Sequence, residues 1–540
     1  MKILLLLCII VVNSHAYQTD MKSVLENFIK GELSGQPVVQ DVKCGTRYAL
    51  EIKHNQNLLD PELYNNFIQV KKSKLAQQRS VISPSGFFEL HWDDTGLNAV
   101  PQEDLSGNGF PDYIDSAAVI LDHVWDVEVE QLGYSPPPGI DGNPAIPYPV
   151  YFTNLFMTYG VTSAVDLVTI NLPDTTYTSY IEFDNNYSES YFQTKGLNGL
   201  KVTAAHEFHH AIQLGYNFRE EDIYFFEMTS TWMEEYLYPN INDYLNYLDY
   251  FFETVSNSRF DFFGYTYPYA NSMYLQMLED QYDASIVRSI WEKIKTTKSL
   301  PALIATLEQS GSTWFESLGE YGLWLYYTGD RAIPGEFFND APFFPEIKIK
   351  SEDNVEFDTL YVDDLNIKEI ANRYLKFQDV RGKIIRIQVN ANEHPQAGFR
   401  IMTPFSYLQL YQINNVVTSH PIDSDQMILV MTNAEVNQIA TTIDVGLIGS
   451  IDLTSVYPFP NPVLTKDTEV VRFQNVPPEA ELYIFNTSGK RVANVKNHNN
   501  SRIRTWYLRN DDGQSVSTGI YIYLVQGDGL LKTGKFSIIR

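Results

Sequence analysis

The sequence predicts an α+β domain followed by two all-β sandwich domains, and three observations lead there. At 540 residues the chain is too long for a single hydrophobic core, so several domains are required. From about Gly86 to Pro334 helical and strand patterns alternate, whereas beyond Pro334 short runs rich in Ile, Val, Tyr and Phe are separated by turn residues. With 44% hydrophobic and 14% aromatic residues, the chain carries enough apolar surface to fill those cores.

Residues 1–16 open with Lys2, continue through the apolar run Ile3 to Val12 and reach Ser14-His15-Ala16, the pattern of a cleaved export signal. That run is too short to cross a bilayer and no later one is long enough, so no transmembrane segment is expected in the mature chain. Residues 17–80 are polar and rich in Lys and Gln, with one amphipathic stretch around Met21 to Ile29, and read as a leader or pro-segment. Over 81–335 a helix is expected near Ile114 to Leu132, strands near Ile146 to Phe152 and Thr178 to Phe183, and several helices after them. Over 336–452, runs such as Ile384 to Val389 and Met427 to Val430 predict a β-sandwich of Ig-like kind. Three prolines within Tyr457 to Pro462 oppose regular structure and suggest a linker. The last domain, 453–540, carries strand patterns at Leu482 to Phe485 and Gly519 to Val525.

A formal charge of −28 argues against nucleic acid as a partner, since such binding draws on Lys and Arg set against phosphates. The acidic surface solubilises the chain, and some of its carboxylates can hold cations. Of the two cysteines Cys8 leaves with the export signal, so Cys44 has no partner for an intrachain disulfide. Stability must then come from the cores or from bound metal ions.

The chemistry concentrates in residues 199–215, GLKVTAAHEFHHAIQLG, which have the apolar spread of a helix. His206 and His210 stand four apart, so both imidazoles leave one face a turn from each other and can reach one metal ion. Glu207 lies beside an open coordination position, where it can act as general base on a zinc-activated water and later protonate the leaving amine. His209 points about 100° away and reads as a packing residue or one that orients a ligand. Catalytic zinc takes three protein ligands. The helical stretch EDIYFFEMTSTWMEEYLYP offers Glu227, seventeen residues beyond His210, and Glu234, two turns further along the same face.

HEFHHAIQ followed by FEMTSTWMEE resembles the gluzincin zinc peptidases, whose third ligand is a Glu on the helix after HExxH. It is especially similar to a group of secreted bacterial metallopeptidases with HEFxHAIQ and a downstream E(A/M)TxTWME. The resemblance spans about Trp92 to Trp291 and implies a zincin-like fold, a Zn2+ cofactor and hydrolysis of peptide bonds in protein or peptide substrates. It places Glu227 as third ligand and Glu234 as a partner orienting an imidazole. Two departures, a slightly shorter gap and Thr231 where thermolysin-like enzymes carry an acid, leave Glu234 open as the ligand instead. Residues 265–282, YTYPYANSMYLQMLEDQY, resemble the stretch where aminopeptidase-like gluzincins hold a Tyr that donates to the oxyanion. Tyr267 or Tyr269 can serve, with plain packing as the alternative for each. In zincin-like folds the strand Ser179 to Phe183 would be the edge along which a peptide lies.

Three further features lie outside that motif. DLSGNGFPDYID sets Asp104, Ser106, Asn108, Asp112 and Asp115 at loop positions 1, 3, 5, 9 and 12, the spacing of a Ca2+ loop. An Asx-rich turn capping the helix at Ile114 is the alternative. Lys43-Cys44-Gly45 is similar to the thiol segment that caps zinc in latent matrix-type peptidases, against which stands a small buried residue. At the other end FPNP, LYIFNTSGKRV, WYLRNDDGQSVSTGIYIYLV and GKFSIIR resemble the type A sorting domain of the type IX secretion system in Bacteroidetes-like bacteria, over about Val456 to Arg540. That resemblance implies export by this machinery and a protein secreted or attached to the outer-membrane surface. The rival reading is a catalytically inactive zincin-like adhesin or binding protein, which the retained Glu207 disfavours. A glycosidase built on Glu234 and Glu235 is opposed by geometry, since neighbours on a helix do not face each other.

Overall fold

The computed structural model describes residues 21–35, 43–156, 158–168, 175–264, 266–350, 354–355, 361–391, 394, 396–419, 422, 424–450, 453, 456–466, 468–477, 480–497, 503–527 and 530–540. The expected export signal, 1–16, lies outside them. Mixed α/β structure and several sheets make up two compact units, Met1–Lys348 and Ile349–Arg540. Among the described residues no helix is long and apolar enough to cross a membrane.

The first unit starts with three helices, α1 (residues 21–34), α2 (Thr46–His54) and α3 (Pro61–Leu75). The leader is therefore more ordered than its polar composition suggested. Leu25, Ile29, Tyr48, Ile52, Leu59 and Phe67 form a small core of their own. Helix α3 starts where its letters require: Asp60 accepts the N–H groups of Glu62 and Leu63, and Pro61 takes the first helical position.

Next come β1 (Arg79–Ile82), β2 (Phe88–Trp92), α4 (Asp112–Trp125), β3 (Tyr148–Thr153), β4 (Gly160–Leu167) and β5 (Tyr177–Asp184). The helix expected near Ile114 to Leu132 is α4, continued by a π-helical turn over Asp126–Gln131. The strands make one sheet in the order β1-β2-β3-β5-β4, parallel at its centre and antiparallel at both ends. This corrects one expectation. Ser179 to Phe183 belongs to β5, which is flanked by β3 and β4, and the edges of the sheet are β1 and β4. The two strands differ in burial: β5 carries no exposed residue along its length, whereas β4 is buried only at its start and becomes exposed toward Leu167.

Helices α5 (Gly196–Tyr216) and α6 (Ile223–Leu237) follow, then α7 (Leu248–Thr254), α8 (Tyr267–Ala270), α9 (Met273–Gln281), α10 (Ser285–Ile294), α11 (Ser299–Gln309) and α12 (Trp314–Tyr326). Helix α5 is buried nearly all round, its polar side chains included. Phe208 packs with ring centroids 5.2 Å from Phe88, 5.5 Å from Trp125 and 6.0 Å from Tyr148. Burying such a side chain contributes about 1.5–3 kcal/mol. Helix α6 is buried without a break from Ile223 to Glu234. Polar side chains on two such helices are tolerated only when each is paired, which explains the dense hydrogen bonding of the site below. The unit runs past residue 335: Ile347 is buried and the Lys348 N–H donates to the Phe252 carbonyl.

The second unit is all β. Strands β6 (Asn354–Val355), β7 (Tyr361–Ile367), β8 (Ala371–Gln378), β9 (Lys383–Asn390), β10 (Ala397–Met402), β11 (Tyr411–Gln412), β12 (Val416–Thr418), β13 (Gln426–Asn433) and β14 (Ile439–Ser450) form two sheets, β11-β10-β13-β8-β6 and β12-β9-β14-β7. Their shared core includes Ile385, Ile387, Val389, Leu429 and Met431. Strands β15 (Tyr457–Phe459), β16 (Val463–Leu464), β17 (Val471–Gln474), β18 (Glu481–Asn486), β19 (Arg491–Asn494), β20 (Arg504–Trp506), β21 (Gly519–Gly527) and β22 (Leu530–Ile539) form sheets β15-β17-β20 and β16-β22-β21-β18-β19. These enclose a separate core around Phe473, Leu482, Ile484 and Phe536. Both pairs are sandwich-like. Here the proline-rich stretch departs from the linker expected of it. Residues 457–459 are strand β15, at an edge where Pro458 has no ladder bond to lose.

Candidate metal centre

Helices α5 and α6 lie side by side, and the segment just ahead of α2 crosses their contact. Cys44, His206, His210 and Glu227 converge there, all buried, with their ligand atoms within 4.8 Å of one another. His206 Nε2 lies 3.1 Å from His210 Nε2 and 3.3 Å from Glu227 Oε2. His210 Nε2 lies 3.6 Å from Glu227 Oε2 and 3.4 Å from Cys44 Sγ. Bonds of about 2.0–2.3 Å to a tetrahedral zinc would set its ligands about 3.3–3.7 Å apart, close to these separations.

The two glutamates on α6 have different tasks. Glu227 faces both Nε2 atoms, whereas Glu234 Oε1 meets His206 Nδ1 at 2.6 Å, on the far side of the ring. His210 Nδ1 meets Gln213 Oε1 at 2.7 Å. The Gln213 amide is itself fixed by donating to the Phe226 carbonyl and the Thr229 and Ser230 hydroxyls. Acceptors at both Nδ1 atoms keep the protons there and leave both Nε2 lone pairs pointing at the cluster. Glu227 Oε2 is buried and accepts no hydrogen bond. Electron-pair donors facing one another in a buried space need a cation between them, either a proton or a metal ion.

The protonation balance reflects the same need. Burial pulls the His206 imidazole down, but the carboxylates of Glu227 and Glu234 beside it outweigh that and hold the group at about 9. Burial also works to raise Glu227, yet the imidazoles of His210 and His206 hold its carboxyl down at about 2. Burial, with Glu207 and Glu227 nearby, pushes the Cys44 thiol up.

Glu207 borders the cluster without joining it. Its Oε2 accepts from the hydroxyls of Thr46 and Thr162, each at 2.7 Å. Strand β4 approaches closely because residue 160 is Gly: a Cβ there would stand 2.5 Å from Glu207 Cγ. Along the outer side of β4 runs the segment 43–46. Tyr159 N–H donates to the Lys43 carbonyl at 2.8 Å, Gly45 N–H to the Gly160 carbonyl at 2.9 Å, and Thr162 N–H to Thr46 Oγ1 at 2.7 Å. The Lys43 ammonium is buried between Glu234 and Asp243. Burial opposes its charge, but Asp243 and Glu234 outweigh that and hold it above the ordinary lysine value. Asp243 sits in a short turn, Asp243–Tyr247, and also accepts from the Thr194 hydroxyl.

Of the residues nominated from sequence, His206, Glu207, His210 and Glu227 come together and Glu234 stands behind His206. Tyr269, on α8, reaches the same place. Its ring centroid is 6.2 Å from that of His206, and its hydroxyl accepts from the Cys44 N–H at 3.4 Å. Tyr267 packs against Phe251 and Phe262. His209 pairs with Glu128 at 2.8 Å, both fully buried; burial pushes the carboxyl up and the imidazole down. In the Asp104 to Asp115 loop, Asp104 accepts from the N–H groups of Gly107, Asn108 and Gly109 and from the Ser106 hydroxyl. Asp112 accepts from Leu105 N–H, and Asn108 donates to Asp115. Sequence reasoning missed Thr46, Gly160, Thr162 and Gln213, and noticed Lys43 only as a neighbour of Cys44. Gln213 carried a signal, since it stands one turn after His210 on the same face. The others carry no signal in their own letters.

No family model and no curated protein matches the chain. Among solved structures, aminopeptidase A of Legionella pneumophila in complex with aspartic acid is 12% identical, covering 67% of this chain and 36% of its own, with a TM-score of 0.29. PorZ of Porphyromonas gingivalis, described as an essential surface component of the type-IX secretion system, is 21% identical over 21% of this chain and 14% of its own, with a TM-score of 0.16. Latent PorU of the same organism is 18% identical over 30% of this chain and 18% of its own, with a TM-score of 0.14. The chain thus spans between 14% and 36% of the length of these structures, and TM-scores this low define no shared fold.

Proposed function

We propose that the chain is a secreted zinc-dependent peptidase in which His206, His210 and Glu227 hold the metal and Glu207 is the general base. The observation that carries this reading is the meeting of two Nε2 atoms and an unpartnered carboxylate oxygen at tetrahedral spacing, with a further acid bordering the group but outside it. A site that held metal for stability alone would have no use for that acid. The donor set, two imidazoles and a carboxylate with a thiol at hand, suits a borderline-soft ion such as zinc. Zinc in this place supplies a Lewis acid that polarises a peptide carbonyl and makes water acidic.

The remaining work falls to the chain. Glu207 takes the proton from the attacking water and returns it to the leaving nitrogen. Glu234 and Gln213 hold the Nδ1 atoms, so each Nε2 keeps its aim without reorganising during the reaction. Tyr269 donates a hydrogen bond from its hydroxyl to the developing oxyanion. Strand β4, the edge beside α5, supplies backbone groups along which an extended peptide lies, in place of the strand Ser179 to Phe183. A mixed sheet with an antiparallel edge next to the HExxH helix accords with the zincin-like fold that the sequence resemblance implies. The same proposal gives residues 456–540 the role of a type IX sorting domain, on the strength of their FPNP and GKFSIIR motifs.

The test compares metal content and peptide-library cleavage in the full chain carrying Cys44→Ser, with and without Glu207→Gln. Stoichiometric zinc in both and a loss of cleavage of about 10²–10⁴-fold on the second change are expected. Full zinc with equal, negligible cleavage by both would favour the binding-protein reading. Cleavage that survives Glu207→Gln would assign the base to another residue.

A further inference from the structure

We infer that residues 43–46 are a built-in inhibitor of this site, a tethered stand-in for substrate whose Cys44 sulfur takes the coordination position the reaction needs. The inference rests on the peptidase reading and adds its regulation. Four observations support it.

The segment occupies the substrate's track. A peptide that adds to a sheet edge binds through main-chain hydrogen bonds. Those of β4 and of Tyr159 just ahead of it, beside the metal cluster, are already taken, by Lys43 O, Gly45 N–H and Thr46 Oγ1. Cys44 stands opposite Gly160 in a parallel bridge.

Within four residues, the segment engages four working parts of the site. Lys43 pairs with Glu234, the acid behind His206. The Cys44 sulfur stands 3.4 Å from His210 Nε2, and its N–H donates to the Tyr269 hydroxyl. Thr46 donates to Glu207, the carboxylate that must be free to accept a proton. A cysteine buried merely as a small apolar residue requires none of these neighbours.

The close approach is built in. A Cβ on Gly45 would lie 2.5 Å from Val161 Cγ2, so any larger residue there would lever the segment off β4. The tether is also firm. The Lys71 ammonium pairs with buried Glu182 of β5 at 2.6 Å, and Lys53 donates to the Val165 carbonyl of β4 at 2.6 Å, one from each helix that follows the segment. Held in this way, the competitor is present at high effective concentration and free substrate does not displace it. Latency forms as the thiol loses its proton to solvent and the sulfur becomes the fourth ligand. It ends when the sulfur takes a proton back and water replaces it, a balanced exchange with no redox step.

The test uses the full chain loaded with cobalt(II), whose visible bands report the ligand set and whose near-ultraviolet charge-transfer band reports a bound thiolate. The parent is expected to show both. Cys44→Ser should keep the visible bands and lose the charge-transfer band. Zinc-loaded Cys44→Ser and Gly45→Val should each cleave a peptide library at least about tenfold faster than the parent, as expected when a tethered competitor is released. Gly45→Val keeps the thiol and disturbs only the track, so it decides the matter should Cys44→Ser fail to fold. Visible bands that depend on His206 without a thiolate band in the parent would overturn the inhibitor and leave the peptidase reading intact. So would a parent as fast as both variants. Absence of any cobalt bands would defeat the peptidase reading itself.

Discussion

The Cys44-His206-His210-Glu227 cluster and the Asp104 to Asp115 loop both carry ligand-type residues at recognisable spacings, and the fold treats them in opposite ways. In the loop, each of these carboxylates is answered by the loop itself: Asp104 by backbone N–H groups, Asp112 by Leu105, Asp115 by Asn108. In the buried cluster, Glu227 Oε2 accepts no hydrogen bond and the two Nε2 atoms face it and each other. Spacing nominates ligands; unanswered donor atoms at short mutual distance select them.

The largest expected effect breaks the comparison on its buried side. His206→Ala or Glu227→Gln should lower zinc affinity by more than about 100-fold, because even the groups behind metal ligands are worth about 10–100-fold. Elemental analysis and a competitive chelator titration measure it, with Asp104→Asn as the control that leaves zinc untouched. Retention of zinc by Glu227→Gln would move the third ligand elsewhere, to Cys44 or Glu234.

A smaller effect sharpens the comparison one layer out. Glu234→Gln should weaken zinc by about 10–100-fold, because the imidazole of His206 loses its charged partner. The same change strips Lys43 of one of two buried counter-charges. Breaking such a pair costs about 3–5 kcal/mol, and the remaining Asp243 keeps the cost near the lower end. Urea unfolding reads the second effect separately from the first. A stability loss with zinc affinity unchanged would make Glu234 an anchor for the leader and nothing more.

The difference between local and distant information also explains what the sequence disclosed. His206, Glu207 and His210 were legible because a helix fixes the faces of residues one turn apart, and Glu227 and Glu234 because two further turns do the same. The choice between those glutamates was not legible, since spacing along α6 cannot say which carboxylate meets Nε2 and which Nδ1. Lys43 and Thr46 stand more than 150 positions from their partners Glu234 and Glu207, and although Cys44 between them drew notice for its thiol, nothing local discloses those partners. The edge beside the site is β4, GVTSAVDL; the resemblance to zincin-like folds pointed to Ser179 to Phe183 in β5 instead, and nothing in the letters of either strand marks an edge. Prolines at 458, 460 and 462 argued against a strand, a rule that holds for central strands and lapses at an edge.

The smallest expected effect concerns the loop. Its carboxylates already accept hydrogen bonds from within the loop, which hold the turn together without an ion. Adding calcium to chelator-treated protein is therefore expected to leave Tm unchanged. Asp104→Ala should leave global stability and zinc content as they are, while amide exchange at Gly107, Asn108 and Gly109 speeds up, because those three N–H groups lose their acceptor. A calcium-induced rise in Tm that Asp104→Asn abolishes would mean the loop turns its carboxylates inward for the ion. Satisfied hydrogen bonds would then be no guide to which carboxylates hold a cation, and the contrast drawn with the buried cluster would rest on burial alone.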